Sequence, residues 1–211
     1  MNPETVVRES KTGDRLFSAA ESMFLARGYD RVSVRELTER AGANVAAVNY
    51  YFGGKRNLYI EVLRRKLGEI THRKLEALDG VIAENGFTDL RGIVRVYVAE
   101  FMESILASPE EQRLLHMMLD EMGRSEDVTE LLFEELIYPI HTILKDAVLK
   151  MRPELSSEKA SLCVTSITGQ ILHFLKARVV IERTSGRVYD AEFIAEIIEH
   201  ITDFSLRGAE Y

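Results

Sequence analysis

The chain has 211 residues, 46% of them hydrophobic and 29% charged, with a formal net charge of −7. That length and composition suit one large domain or two small ones with a globular core. A single cysteine, Cys163, excludes an internal disulfide, and with it a disulfide-stapled secreted scaffold.

The opening "MNPETVVRESKTGD" is polar and has no apolar core of a signal peptide. The most apolar stretch, residues 162–181, is interrupted by Thr165, Ser166, Gln170, His173, Lys176 and Arg178, too polar for a membrane span. A cytoplasmic protein with no membrane association is expected. Charge is unevenly spread: residues 1–75 hold 14 Lys and Arg against 9 Asp and Glu, and residues 76–211 hold 13 against 25. A basic head on an acidic body points to a polyanionic partner for the head, although segregation of charge on solvated helices gives the same count.

Helical periodicity runs throughout, and no β-branched alternation is bounded by turn signals. Leu16, Ala19, Ala20, Met23 and Phe24 form one face of a first helix, with Thr12 as its cap and Gly28 at its end. Ser33 and Glu36 form a capping-box pattern, so a second helix starts at Val34 and stops at Gly42. A third, short helix runs from Asn44, as cap, to about Tyr51. "FGGK" breaks it, and a long fourth helix follows from Lys55 to about Leu78. Further helices are expected over about 90–107, 110–122, 128–151 (bent at Pro139), 157–181 and 190–206, with "ERTSGRVYD" as a polar loop. The fold class is therefore all-α, with about nine helices.

Two short helices joined by a Gly-containing turn, the second one slim and Ala-rich, are the pattern of a helix-turn-helix that enters a major groove. The stretch "AAESMFLARGYDRVSVRELTERAGANVAAVNYYFGGKRNLY" resembles the DNA-binding domain of the TetR family of bacterial transcriptional regulators. The resemblance implies a homodimer with an N-terminal three-helix head on double-stranded operator DNA. A larger C-terminal domain would bind a small-molecule effector and dimerise through the last two helices. It implies domains of about 1–54, with a flexible N-terminal arm, and 55–211. Carried over by position, Ser33, Tyr50 and Lys55 match phosphate contacts, with Arg35 a weaker one. Val45, Ala46, Asn49 and Tyr51 match groove-facing places, and Asn44 joins this DNA-binding set. Val45 and Asn49 depart from the family's common residues, so base preference does not transfer. Asn49 suits a bidentate pair with adenine, and equally a phosphate contact or a solvated site. Tyr50 has both a packed ring and an outward hydroxyl available to it.

"EELIYPIHTIL", "SITGQILHFLKARVVIE" and "IIEHITDFSLRG" resemble the effector domain of the CecR-like branch, which is linked to cefoperazone and chloramphenicol sensitivity and export of toxic compounds. Soft and polar residues among apolar ones suggest the effector pocket. The candidates are Phe101, Met102, Ile105, His116, Met117, Tyr138, His141, Gln170, His173 and Phe174. Core filling accounts for each methionine as well, and ordinary hydrogen bonding for each histidine. No close His spacing supports a metal site, and no cofactor is expected. The adjacent carboxylates Glu110-Glu111, Asp120-Glu121 and Glu134-Glu135 splay apart on a helix, so an enzyme is not expected. A ligand-responsive repressor is the favoured function, and the CecR-like resemblance implies control of an efflux or drug-sensitivity operon. The alternatives are a helical enzyme and a protein-interaction module without specific DNA binding.

Overall fold

The computed structural model describes residues 3–208, with side chains from residue 11 onward. Among the described residues there is no strand, and eleven α-helices follow one another. They are α1 (Pro3–Arg27), α2 (Val34–Ala41), α3 (Ala46–Phe52), α4 (Lys55–Asn85), α5 (Leu90–Ala107), α6 (Pro109–Glu121), α7 (Glu126–Leu132), α8 (Tyr138–Met151), α9 (Ser157–Lys176), α10 (Arg178–Ser185) and α11 (Ala191–Gly208). The nine expected helices become eleven because two of them are interrupted. Of the expected N-terminal arm, residues 1 and 2 lie outside the described residues, and from Pro3 onward the chain is already helical. The first helix thus starts well before the cap expected at Thr12.

Packing divides the chain into two compact units. One holds the residues up to Glu69 together with Gln112–Phe133; the other holds Ile70–Glu111 and the residues from Glu134 onward. The expected division after residue 54 follows function, whereas these units follow packing and cut α4 between Glu69 and Ile70.

In the first unit, α1, α2 and α3 close around Leu16, Ala20, Phe24, Leu37 and Val48, all fully buried. α4 adds Leu58, Tyr59 and Val62 to the buried set, and α7 contributes Val128 and Leu131. Each buried aliphatic side chain contributes on the order of 2 kcal/mol of transfer free energy. Thr38 is also buried, and its hydroxyl donates back to the Val34 or Arg35 carbonyl, at 3.1 and 3.0 Å. Its polarity is thereby satisfied within the helix.

The core of the second unit is built by α5, α8, α9 and α11 through Ile93, Val98, Met102, Leu144, Ala147, Val164, Ile171, Ile197 and Ile201. Both helix interruptions lie in this part of the chain or at its edge. Between α7 and α8 the helix widens into a π-helical segment, Phe133–Ile137. Pro139 has no N–H to give to the carbonyl of Glu135, four residues earlier, so the regular ladder fails there. The buried Thr71 hydroxyl donates to that carbonyl at 2.7 Å. The bend expected at Pro139 is thus a local widening, with a side chain of α4 supplying the missing donor.

The second break falls at Ala177, where a single helix to Ile181 was expected. The Tyr189 hydroxyl donates to the Phe174 carbonyl at 2.8 Å, taking the place of the next backbone donor. The Tyr189 N–H donates to Glu182, which also pairs with Arg178 at 3.1 Å, so both sides of the break are tied. The "ERTS" half of the expected loop is consequently the end of α10.

Candidate nucleic-acid interface

The helix-turn-helix is locally encoded. Ser33 caps α2: its hydroxyl accepts from the Glu36 N–H, while the Ser33 N–H donates to the Glu36 carboxylate at 2.8 Å. The Ser33 hydroxyl also donates to Glu36 at 2.7 Å, and Arg27 pairs with the same carboxylate at 2.8 Å. The Ser33 N–H, the Ser33 hydroxyl and Arg27, in that order, hold the Glu36 carboxyl down to about 2. α2 stops at Gly42, whose φ of 59° is the left-handed conformation that favours glycine.

The Asn44 side-chain oxygen then accepts from the Ala46 N–H at 3.0 Å and starts α3. Asn44, expected as the cap, thus stands one residue before it: Val45, already helical in its backbone angles, holds the N-cap position of α3 and makes no side-chain cap bond. Val48 faces inward and is fully buried, which fixes the helix by one anchor and turns its other face out. Val45 and Tyr50 are 55% and 72% exposed, and Ala46 and Asn49 are exposed beside them. Tyr51 is half-buried: its ring lies against α1 at Gly13 and meets Tyr50 edge to face at 4.9 Å. Arg35 lies out in solvent on α2, paired with Glu39 at 2.8 Å. Such an exposed pair stabilises by well under 1 kcal/mol and yields readily to a phosphate.

Gly53 and Gly54 turn the chain into α4 with φ of 72° and 133°. Lys55 stands at the first position of α4 with Nζ 3.9 Å from the centre of the Tyr29 ring. Partial burial pushes its pKa down, against the pull of Asp30 and Glu36. Arg56, the next residue, is held by Asp127 through Nε at 2.9 Å and Nη2 at 2.6 Å. Tyr29, Arg56 and Asp127 were not among the sequence candidates. Tyr29 follows the helix-ending Gly28 and Arg56 adjoins Lys55, so both carried a local hint. Asp127 stands 71 residues away from Arg56 and carried none.

Ser33 at the cap of α2, Arg35 on α2, Asn44 and Val45 just before α3, Ala46, Asn49, Tyr50 and Tyr51 on α3, and Lys55 at the start of α4 all lie in one unit. The effector candidates are not all brought together. His116 and Met117 lie in the first unit, on a surface cleft of about 590 Å³ that also includes Tyr29, Asp30, Arg113 and Glu121. The others lie in the second unit. Met102 and Ile105 are buried and Phe101 packs edge to face on Tyr97, ring centres 5.0 Å apart. Tyr138 is 58% exposed, and His141 is half-buried on α8. Gln170 donates to Ser205 at 3.1 Å, bridging α9 to α11. His173 is exposed, and Phe174 lies edge to face between it and His200 at 6.0 and 6.2 Å.

A chain whose described residues form helices and no strand, with a capped helix-turn-helix whose second helix is anchored by buried Val48 and the half-buried Tyr51 ring and presents Ala46, Asn49 and Tyr50 to solvent, is a DNA-binding transcriptional regulator by architecture. Comparison with known proteins gives the family. Residues 90–209 match the family described as "HTH-type transcriptional dual regulator CecR, C-terminal domain", and residues 16–62 match "Bacterial regulatory proteins, tetR family". The chain belongs to the tetR family of bacterial regulatory proteins, in the group that carries the CecR C-terminal domain. It is 24% identical to the HTH-type transcriptional dual regulator CecR of Shigella flexneri, over 98% of this chain and 96% of that one. A transcriptional regulator structure from Pseudomonas aeruginosa PAO1 superposes with a TM-score of 0.69 at 16% identity, covering 100% of this chain and 95% of that chain. A regulator from Saccharomonospora viridis, solved in complex with choline, gives a TM-score of 0.62 at 18% identity, with 92% and 95% coverage. These relatives are transcriptional regulators, not enzymes. No helix among the described residues is long and apolar enough to cross a membrane.

Proposed function

We propose that this chain is a ligand-responsive repressor that leaves its operator when a small-molecule effector binds, and that it governs an efflux or drug-sensitivity operon. The observation that carries the DNA-binding half is the exposed face of α3. Val45, Ala46, Asn49 and Tyr50 face outward from a helix whose inner residue, Val48, is fully buried. A slim helix with small residues at its start suits a major groove, and flanking hydroxyl and ammonium groups suit phosphates. Arg35, Tyr50 and Lys55 are the proposed phosphate contacts, Ser33 joins them by turning its hydroxyl proton from the Glu36 carboxylate to a phosphate, and Asn49 is the proposed base reader.

The effector is proposed to bind in the second unit, among Phe101, His141, Gln170 and Phe174. The choline complex of the S. viridis regulator supports a small-molecule site in a protein of this fold. Homodimerisation is proposed through α9 and α11. Leu162 on α9 and Phe204 on α11 are 65% and 61% exposed, which a second copy would cover. The CecR resemblance supports the operon, and the effector's differential affinity for the two states sets the size of the response.

The test is fluorescence anisotropy with the DNA fragment upstream of the protein's own gene. Lys55→Ala is expected to weaken binding and to reduce the salt slope by about one unit, as loss of one phosphate contact requires. An unchanged slope removes Lys55 from the interface, and a wild-type protein that binds no better than to unrelated DNA overturns the regulator reading.

A further inference from the structure

The first turn of α4 carries two adjacent cations, Lys55 and Arg56, and no acidic residue. A helix N-terminus is the positive end of the backbone dipole, so two cations there are unfavourable without outside partners. The structure supplies a different partner to each. The Arg56 guanidinium makes a two-pronged contact with the Asp127 carboxylate and a further bond to the Ser125 hydroxyl. The fork matches the carboxylate geometrically, which is the strong form of this interaction. The carboxylate is itself built in: it accepts from the Ser125 hydroxyl at 2.5 Å and from the Val128 N–H at 2.9 Å, at the start of α7.

The same guanidinium stands 5.2 Å over Tyr29 and 5.4 Å over Tyr59, and the Tyr29 ring carries the Lys55 ammonium at 3.9 Å. Tyr29 and Tyr59 are in ring contact at 5.0 Å, and Tyr59 is fully buried. A continuous line of contacts therefore runs from Asp127 through Arg56 and Tyr29 to Lys55. Every member lies in the first unit, although Asp127 comes from the distant segment Gln112–Phe133.

We propose that Arg56 is a positioning residue for DNA binding, latched by Asp127 and Ser125, and that it sets the Tyr29 ring on which Lys55 rests. Its Nε and Nη2 donors are spent on Asp127 and Ser125, so it orients the phosphate-binding lysine instead of binding phosphate through them. The segment Gln112–Phe133 thereby takes part in DNA binding without touching DNA. This inference rests on the DNA-binding reading of Lys55 given above.

Two measurements on the full chain test it. In anisotropy with the fragment upstream of its own gene, Asp127→Asn is expected to weaken binding about tenfold, the scale of one charge-assisted contact, with the salt slope lowered by no more than the roughly one unit that Lys55 supplies. Arg56→Gln is expected to do the same. Tighter binding by Asp127→Asn, or a slope that Arg56→Gln lowers by about one further unit in a Lys55→Ala background, would make Arg56 a direct phosphate ligand and overturn the proposal. The second measurement needs no DNA. The Lys55 side-chain CH₂ resonance, shifted by the Tyr29 ring current, is expected to move toward its random-coil position in Asp127→Asn, while resonances of Leu16 and Val48 stay in place. A Lys55 resonance that does not move refutes the latch. Wild-type protein that ignores the fragment while the Lys55 resonance shifts refutes the DNA reading and leaves the latch standing as a contact.

Discussion

Replacing Lys74 by methionine puts a number on the cost of one buried charge. Lys74 lies on α4 and is only 2% exposed. Its ammonium donates to the Glu100 carbonyl at 2.8 Å and to the Ser104 hydroxyl at 3.2 Å, and stands 3.9 Å from the Phe101 ring centre. Among the described residues no carboxylate pairs with it directly, and Glu111 and Glu100 act only at longer range. Burial pushes its pKa from 10.5 down to about 8, a displacement worth about 3 kcal/mol. The unfolded chain keeps this proton up to pH 10.5, whereas the folded chain releases it near 8. Between those values the unfolded state binds more protons, so raising the pH favours folding. The penalty is complete below pH 8 and relieved by pH 10.5.

Lys74→Met removes the charge and keeps most of the stem volume. The Glu100 carbonyl still receives the Ser104 hydroxyl, so no acceptor is stranded. The variant is expected to match the wild type within about 1 kcal/mol at pH 7. The wild type should then gain about 3 kcal/mol relative to the variant on going to pH 10.5. Urea unfolding of both proteins at steps between pH 7 and 10.5 measures this, because every other titrating group cancels in the difference. Parallel pH profiles would refute the assigned displacement of the lysine.

Two other substitutions test particular contacts. Thr71→Val is expected to cost about 1–2 kcal/mol, but much less in a Pro139→Ala background, where residue 139 can donate to the Glu135 carbonyl; equal costs in the two backgrounds would refute the compensation. Tyr50→Phe should leave the unfolding midpoint unchanged, since Tyr50 is 72% exposed. It should weaken DNA binding several-fold if the hydroxyl meets a phosphate, and unaltered anisotropy would assign the side chain to packing against Tyr51.

What was legible in the sequence was local. The Ser33–Glu36 box, the stop at Gly42 and the break at Gly53-Gly54 each involve residues within a few positions, and the structure places each helix boundary there. The buried face of the first helix, Leu16, Ala19, Ala20, Met23 and Phe24, followed from periodicity alone. What escaped was long-range. Arg56 and Asp127 stand 71 positions apart, and Thr71 and the Glu135 carbonyl 64 apart. Neither hydrophobic period nor capping chemistry encodes such a pairing. The break at Ala177 escaped for the same reason, because the donor that stabilises it, Tyr189, lies beyond the next helix. His116 and Met117 show the limit of composition as a guide. They have the chemistry of pocket residues, yet packing assigns them to the unit that carries the helix-turn-helix.

The interleaving of the two units has a consequence for how the chain is made. The helix-turn-helix is complete by Phe52, but the carboxylate that holds Arg56 is added only with Asp127, and the unit closes at Phe133. Domains tend to fold as they leave the ribosome, from the N-terminus onward. Here the first unit must wait while Ile70–Glu111, which belong to its neighbour, are synthesised in between. The same arrangement makes the head hard to exchange as a cassette. A recombination joint at residue 69 would carry the recognition helix and Arg56 to a new protein and leave Asp127 behind, and a joint at residue 54 would leave Arg56 behind as well.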